Sequence, residues 1–384
     1  MVYKIIDKTE WGKLATFIPN KTEPVYNWFY YKEGFSKELV FNLIRMFNLK
    51  KGSWVLDPFC GVGTTLLACK QLGINSMGFD THPVSVFVTQ VKLTDYDINK
   101  LKEEAKNLLS ERFQKPEYQI KDTLIKKSFS RHTLDDIFFF RERILRIKDE
   151  KIRDFFTLAL MNVAMKCSYV YKDGAVLKIK KKPVPPLRDM LRRQLKKMIK
   201  DLKGFHKENV QSVVDFGDAR RLECKDEFFD SVITSPPYLN KIEYTRIYEI
   251  EQKLFLAHIE TKPSIRSYIG VNLKTIEKGV EKLLPILGND INKLPGEAIP
   301  YFSDMFDAIK EIYRVSKSGA KTGLIVGNGC FPTGVVESDI ILCRLAEHVG
   351  FKVKKFLVLN KRWCTRHRTE KIGVMRESLL VWEK

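Results

Sequence analysis

Two short stretches of this chain carry residue types that do chemistry when they sit at strand ends. The first is Asp57-Pro58-Phe59-Cys60-Gly61-Val62-Gly63-Thr64-Thr65, directly after the apolar run Trp54-Val55-Leu56. Glycines between a buried strand and a helix let backbone approach a ligand at the helix N-terminus. This turn is no dinucleotide loop: leucine at position 66 replaces the third glycine of GxGxxG, and the GK[ST] that grips nucleotide phosphates is missing. A carboxylate, Asp57, stands where a pyrophosphate loop avoids negative charge. It suits a cationic ligand, such as an amino acid bearing a sulfonium. Asp80, closing Gly78-Phe79-Asp80, is expected to accept from both hydroxyls of a ribose.

The second stretch is Ser235-Pro236-Pro237-Tyr238, which follows the apolar strand pattern of Asp230-Ser231-Val232-Ile233 and Thr234. Two prolines fix φ twice and remove two donors, so the local carbonyl oxygens are left to accept. With an aromatic ring next in line, the device fits a planar base. The ring stacks on its face, and Ser235 and backbone oxygens accept from its NH2. A carbonyl that accepts an amine hydrogen also turns the nitrogen lone pair toward an incoming group. Alone, Pro-Pro-Tyr would be no more than a rigid turn.

Both stretches need strands to carry them. An amphipathic helix with Leu39, Leu43, Ile44 and Phe47 leads through Lys51-Gly52 into the first strand. The glycine turn and a small-residue helix to Leu72 follow, then a second strand ending at Asp80. Strand, glycine turn, helix and strand make one βαβ unit, so the fold class is α/β, a Rossmann-like sheet with helices on both faces. From about 101 to 206 the pattern is helical and basic, a largely helical insertion between 1–100 and 207–384. Helices are expected over Leu134–Ile147, over Ile152–Cys167 and after the Pro183-Val184-Pro185-Pro186 break. Strand patterns return at 213–218 and 230–233, and a polar, mixed region spans 239–300. A helix over 301–315, a turn at Ser318-Gly319, a strand over 323–326, a helix over 338–349 and strands over 352–359 and 378–382 complete the chain.

The chain of 384 residues carries 67 Lys+Arg against 47 Asp+Glu, a formal charge of +20 that draws polyanions. Between Lys178 and Lys207 twelve Lys/Arg face two Asp, too few acids for neutralising pairs. Arg192, Arg193, Lys196 and Lys197 are the expected phosphate-facing residues. Arg246 and Arg266 in the polar region, with Lys241 and Tyr244 near them, are further candidates for nucleic-acid contact. So are Arg366 and Arg368, with Arg362, between the last two strands. Tyr244 and Tyr248, four apart, are read as packing on one helix face. The seven cysteines include no CxxC pair, which reads as buried thiols in a reducing cytosol and not as a disulfide framework. The six histidines show no paired-ligand spacing, so no metal is indicated. The start, MVYKIIDKTEW, has no signal pattern and no apolar run reaches membrane-spanning length, so a soluble, cytoplasmic protein is expected.

DPFCGVGTT and TSPPY together give the chain its resemblance to the amino-methylating DNA methyltransferases, which modify cytosine N4 or adenine N6. The likeness runs over roughly Tyr30–Asp95 and Val213–Lys384, in one of that family's permuted motif orders. It implies S-adenosylmethionine as cofactor, held by Asp57, Phe59, Cys60, Gly61, Gly63, Thr64 and Asp80. Phe35, in Tyr30–Ser36, would close over the methionine end, and Asp218, after Gly217, would meet the adenine. It implies Ser235, Pro236, Pro237 and Tyr238 as the catalytic motif, and double-stranded DNA with a flipped base as substrate. A cognate restriction endonuclease acting on the same site would be the partner. Ser before Pro-Pro-Tyr is commoner among the cytosine-N4 enzymes, Asp or Asn among the adenine ones, so Ser235 favours cytosine N4. Cytosine C5 methylation needs a nucleophilic cysteine in a Pro-Cys context, which is absent. Adenine N6, an amine of RNA and a catalytically inactive DNA-binding subunit stay open as alternatives.

Overall fold

The computed structural model describes residues 3–173, 176–239, 244–259, 269–270, 276–367 and 369–384. Its strands are β1 (Ile5–Asp7), β2 (Trp54–Asp57), β3 (Asn75–Asp80), β4 (Val170–Asp173), β5 (Val176–Ile179), β6 (Ser212–Phe216), β7 (Phe229–Thr234), β8 (Ser316–Gly327), β9 (Gly329–Phe331), β10 (Gly334–Val336), β11 (Lys352–Arg366) and β12 (Glu370–Glu383). Its helices are α1 (Lys37–Phe47), α2 (Thr64–Gln71), α3 (Pro83–Leu93), α4 (Ile98–Ser110), α5 (Thr123–Ser128), α6 (Arg131–Leu145), α7 (Glu150–Lys166), α8 (Leu187–Lys203), α9 (Glu249–Phe255), α10 (Ile276–Leu287), α11 (Ala298–Val315) and α12 (Ser338–Val349).

Eight strands form one sheet in the order β1-β11-β12-β8-β7-β2-β3-β6. The five from β8 to β6 run parallel, and β12 is antiparallel to both its neighbours. The chain winds outward from β2 through β3 to β6, then returns to place β7 on the other side of β2. The order therefore reverses between β2 and β7, and open α/β sheets bind their ligands at that crevice.

Alternation along the strands shows why the sheet is covered twice. Val55, Ile233, Ile325 and Leu379 point into a core shared with Leu39 and Leu43 of α1. Leu56, Val232, Leu324 and Leu380 point the other way, onto Phe302 of α11 and Leu342 of α12. A period of two with both phases apolar is what a sheet between two helical layers requires. Helix starts are fixed locally. Ser36 caps α1 by accepting from the Leu39 amide at 3.3 Å, and Asp97, Ser130 and Asp149 cap α4, α6 and α7 in the same manner.

The segment between β3 and β6 is mainly helical, but it contains the antiparallel hairpin β4-β5. Its interior is continuous with the helices of the sheet. Leu66 and Leu67 of α2, Val88 of α3, Phe155 of α7 and Leu195 of α8 share one apolar core. The turn expected at Ser318-Gly319 is a bulge inside β8. Gly319 takes φ +77°, and Phe229↔Ser316 steps to Ser231↔Lys321 across it. Strands β11 and β12 extend well beyond the expected 352–359 and 378–382 and pair as far as Arg366↔Glu370.

The reading of all cysteines as thiols needs correction. Cys330 on β9 and Cys364 on β11 form a disulfide, their Cα atoms 5.6 Å apart. They lie 34 residues apart, and strand packing alone brings them together, so their spacing held no signal. The other five cysteines are free. Among the described residues no helix is long and apolar enough to cross a membrane, and no cluster of His, Cys, Asp and Glu is set to hold a metal.

Candidate active site

The crevice between β2 and β7 holds both sequence motifs. Asp57 ends β2 and is only 1% exposed. Its Oδ1 accepts from the Thr234 hydroxyl at 2.6 Å and from the Phe59 amide at 3.2 Å. Thr234 is the last residue of β7, so this bond ties the glycine turn to the strand that carries Ser235–Tyr238. The second oxygen, Oδ2, is buried and accepts no hydrogen bond of normal geometry among the described residues. Burial pushes the carboxyl up to about 6, against the lowering effect of the Thr234 and Thr65 hydroxyls and the Phe59 amide. An ionised carboxylate with an unmatched buried oxygen is costly unless a cation or donor meets it. The site thus fits a ligand with a positive end.

The turn is tightly specified. Gly61 and Gly63 adopt φ +51° and +76°. A Cβ on Gly63 would come within 2.5 Å of Thr89 Cγ2, and one on Gly61 within 3.0 Å of the Tyr31 ring. The Gly61 amide donates to Asp80 Oδ2 at 2.9 Å, while Asp80 Oδ1 accepts from the His82 amide at 2.8 Å. Asp80 is thereby anchored at the strand end, half-buried, with its carboxyl raised to about 7, chiefly by desolvation. Thr89 holds the Gly61 carbonyl at 3.0 Å, and the buried Lys92 ammonium holds that of Val62 at 3.1 Å. Cys60 and Thr64 are buried in the same turn, and Phe59 is half-buried.

The segment before α1 covers the turn. Tyr31 lies against Gly61 and stacks on Tyr248, ring centroids 5.3 Å apart. The Tyr248 hydroxyl donates to Glu33 at 3.0 Å. Tyr248 is buried against the closing segment, at the end of a short 3-10 helix. Phe35 is buried in the core beside α1, its carbonyl accepting from the Asn20 amide group at 2.9 Å. Asp218 is engaged by its own neighbour: both carboxylate oxygens accept from the Arg220 guanidinium, the shortest at 2.6 Å.

On the β7 side, the Ser235 hydroxyl donates to the Ile325 carbonyl at 3.0 Å, which leaves its lone pairs to accept. Pro236 is buried, and Pro237 and Tyr238 are half-buried. The Tyr238 ring lies so close to Gly327, at the end of β8, that a Cβ there would sit 2.7 Å from Cδ2. The Tyr238 hydroxyl donates to Glu377 of β12 at 2.9 Å. Sequence reasoning missed the roles of Thr234, Gly327 and Glu377. Thr234 was in view as the first residue of TSPPY, and Gly327 left a trace as the first glycine of Gly327-Asn328-Gly329 after an apolar strand.

The candidate DNA-contacting residues are scattered. Arg192, Arg193, Lys196 and Lys197 are exposed on α8, which packs on α4, α6 and α7. Two of them have partners, Arg192 with Asp189 at 3.0 Å and Lys197 with Asn27 at 2.7 Å. Arg246 is exposed in the short 3-10 helix Tyr244–Tyr248. Arg366 is exposed and pairs with Glu370. Lys241, Arg266 and Arg368 lie outside the described residues.

Comparison with known proteins gives these motifs a context. A DNA methylase family, the N6/N4 methyltransferases, matches over residues 8–90, a span that includes the glycine turn and Asp80. The type II methyltransferase M.BsoBI of Geobacillus stearothermophilus is 27% identical over 99% of this chain and 90% of its own length. M.AvaI, a type II methyltransferase of Nostoc, is likewise 27% identical, over 97% of this chain and 89% of its own. A type II methyltransferase of Methanocaldococcus jannaschii, M.MjaII, reaches 36% identity over 32% of this chain and 26% of its own.

Proposed function

We propose that this chain, which is similar to the N6/N4 DNA methylases over residues 8–90, transfers a methyl group from S-adenosylmethionine to the exocyclic N4 of cytosine in duplex DNA. The observation that carries this reading is the buried Asp57. Its Thr234 bond welds the cofactor turn to the catalytic strand, and its second oxygen awaits a donor. S-adenosylmethionine supplies an electrophilic methyl on a sulfonium and, with its ammonium, the cationic character the turn lacks. Asp57 and the amides of the glycine turn hold the amino-acid end, and Asp80 holds the ribose.

Across the crevice, Ser235 and the carbonyls of the Pro-Pro unit accept from the target amine and orient its lone pair. Tyr238, seated on Gly327 and pinned by Glu377, offers a ring for the base to stack on. Taking the base out of the duplex costs a few kcal/mol, and stacking returns about 1–3 kcal/mol. Alignment of the amine, with acceptors matched to its growing positive charge, then supplies the catalysis. Ser235, in place of the acidic or amide residue of most adenine enzymes of the resembled family, supports cytosine N4. The type II relatives support a modification role, with a cognate endonuclease acting on the same site.

The test is label transfer. Purified protein given methyl-tritiated S-adenosylmethionine should label duplex DNA and leave structured RNA unlabelled. Label in RNA alone would move the substrate to an RNA amine, and cofactor binding without transfer to either would leave a DNA-binding subunit.

A further inference from the structure

The long hairpin of β11 and β12 outruns the sheet. β11 leaves β1 after Val358, and β12 pairs with β8 only from Glu377 onward. From Asn360 to Arg366 and from Glu370 to Arg376 the two strands continue as a ribbon, about 23 Å long at the usual rise per residue. Its direction is fixed by register. Glu377 pairs with Gly327, the C-terminal residue of β8, and β12 is antiparallel to β8. The ribbon therefore projects past the strand ends that carry the Ser235–Tyr238 motif, and its root, Glu377, is the residue holding Tyr238.

The ribbon has two unlike faces. One is covered by the β9-β10 hairpin: Cys364 is joined to Cys330, and a Cβ on Gly373 would meet Val335 at 2.7 Å. On the other, Trp363 stands opposite Val374, and these two apolar side chains are 54% and 43% exposed. The Lys371 ammonium lies 4.7 Å from the Trp363 ring centroid. From Lys361 to Arg376 the sequence has six Lys/Arg against one Glu. Lys361 is matched by Asp7, Arg366 by Glu370 and Arg376 by Asp339. Arg362 and Lys371 make no ion pair among the described residues.

We propose that this ribbon is a DNA-contacting arm that enters a groove of the duplex beside the target base. Trp363 and Val374 pack on base edges or sugars, Lys371 beside them meets phosphates, and Arg362, exposed on the ribbon's other face, meets phosphates from that side. The inference rests on the DNA methyltransferase reading and adds a surface to it. A two-stranded ribbon is one of the shapes a major groove admits. The surplus of cations chooses a polyanion over a second protein, and the disulfide fixes the arm relative to β9, which follows the Tyr238 seat at Gly327. An exposed tryptophan supplies sequence-tolerant contact area of the kind aromatic rings give to nucleic acids.

The probe is a fluorescein-labelled DNA duplex of mixed sequence at low salt, read by anisotropy with the full chain. Trp363→Ala should weaken binding by about tenfold, with Trp363→Phe in between, because the ring's buried apolar contact area is lost. The double variant Arg362→Ala with Lys371→Ala should weaken binding and flatten its salt dependence. Calorimetric affinity for S-adenosylmethionine should be unchanged in all three, which reports an intact fold. Wild-type duplex affinity in every variant, with cofactor binding intact, would overturn the proposal. So would a Trp363→Ala protein whose sedimentation changes while duplex affinity does not, since the face would then belong to a second copy. Failure of the broader reading is distinguishable: wild-type protein would transfer no methyl to DNA, whatever the arm binds.

Discussion

Asp57 has one oxygen held by Thr234 and Phe59 and the other buried, accepting no hydrogen bond of normal geometry among the described residues. Its carboxyl is raised to about 6 from an ordinary 3.8, mainly by burial. Below pH 4 the group is protonated in both folded and unfolded chains and costs nothing. As pH rises to about 6 the unfolded chain loses this proton first, so the folded state loses about 3 kcal/mol relative to it. A cationic ligand reverses that penalty, because it binds the ionised form. Affinity for S-adenosylmethionine should therefore fall about tenfold between pH 7 and pH 5. Asp57→Asn should bind more weakly and lose most of that pH dependence, as titration calorimetry at several pH values will show; an unaltered slope in the variant would free Asp57 of this role. At this scale much was legible. Asp57, the glycines and Ser-Pro-Pro-Tyr announce themselves because their chemistry depends on near neighbours in sequence. Glu377 does not: it reaches Tyr238 across 139 residues, and only the pairing of β12 with β8 places it there.

Among the elements, the glycine turn tolerates the least change. Gly63 combines φ +76° with the side chain of Thr89 at the position a Cβ would take. Gly63→Ala should cost at least about 1–3 kcal/mol from backbone strain alone, read by chemical denaturation. Adding Thr89→Ser, which removes the crowding methyl but keeps the hydroxyl that holds the Gly61 carbonyl, should recover part of the loss. No recovery would locate the cost in φ alone. The α/β alternation was readable because apolar residues mark both faces of each central strand. The hairpin β4-β5 was not, since its second strand, Val176–Ile179, has no buried face in the described structure. The outer halves of β11 and β12 were missed for a related reason: beyond the sheet, one flank is solvent and no alternation survives. The Cys330–Cys364 link was hidden with them.

Over the whole molecule, the charge of +20 is unevenly displayed. The exposed side of α8 carries Arg192, Arg193, Lys196 and Lys197, while its buried side, Leu191, Leu195 and Met198, joins the core that also packs α2 and α3. That continuity holds the helix in a fixed relation to the cofactor turn. We propose that it adds phosphate contacts. Neutralising the four should weaken cognate and unrelated duplexes alike and lower the salt slope by roughly 0.9 per lost contact; an unchanged slope would make the face merely solvated. Composition revealed the charge, but not which elements would share a side with the crevice, since that depends on helix packing. The central claim concerns the product. DNA from cells expressing the protein, digested to nucleosides and analysed by mass spectrometry, should contain N4-methylcytosine, and cells expressing Tyr238→Ala should contain far less of it. N6-methyladenine in its place would overturn the assignment of the base, and DNA without any methylated amine would contradict the account as a whole.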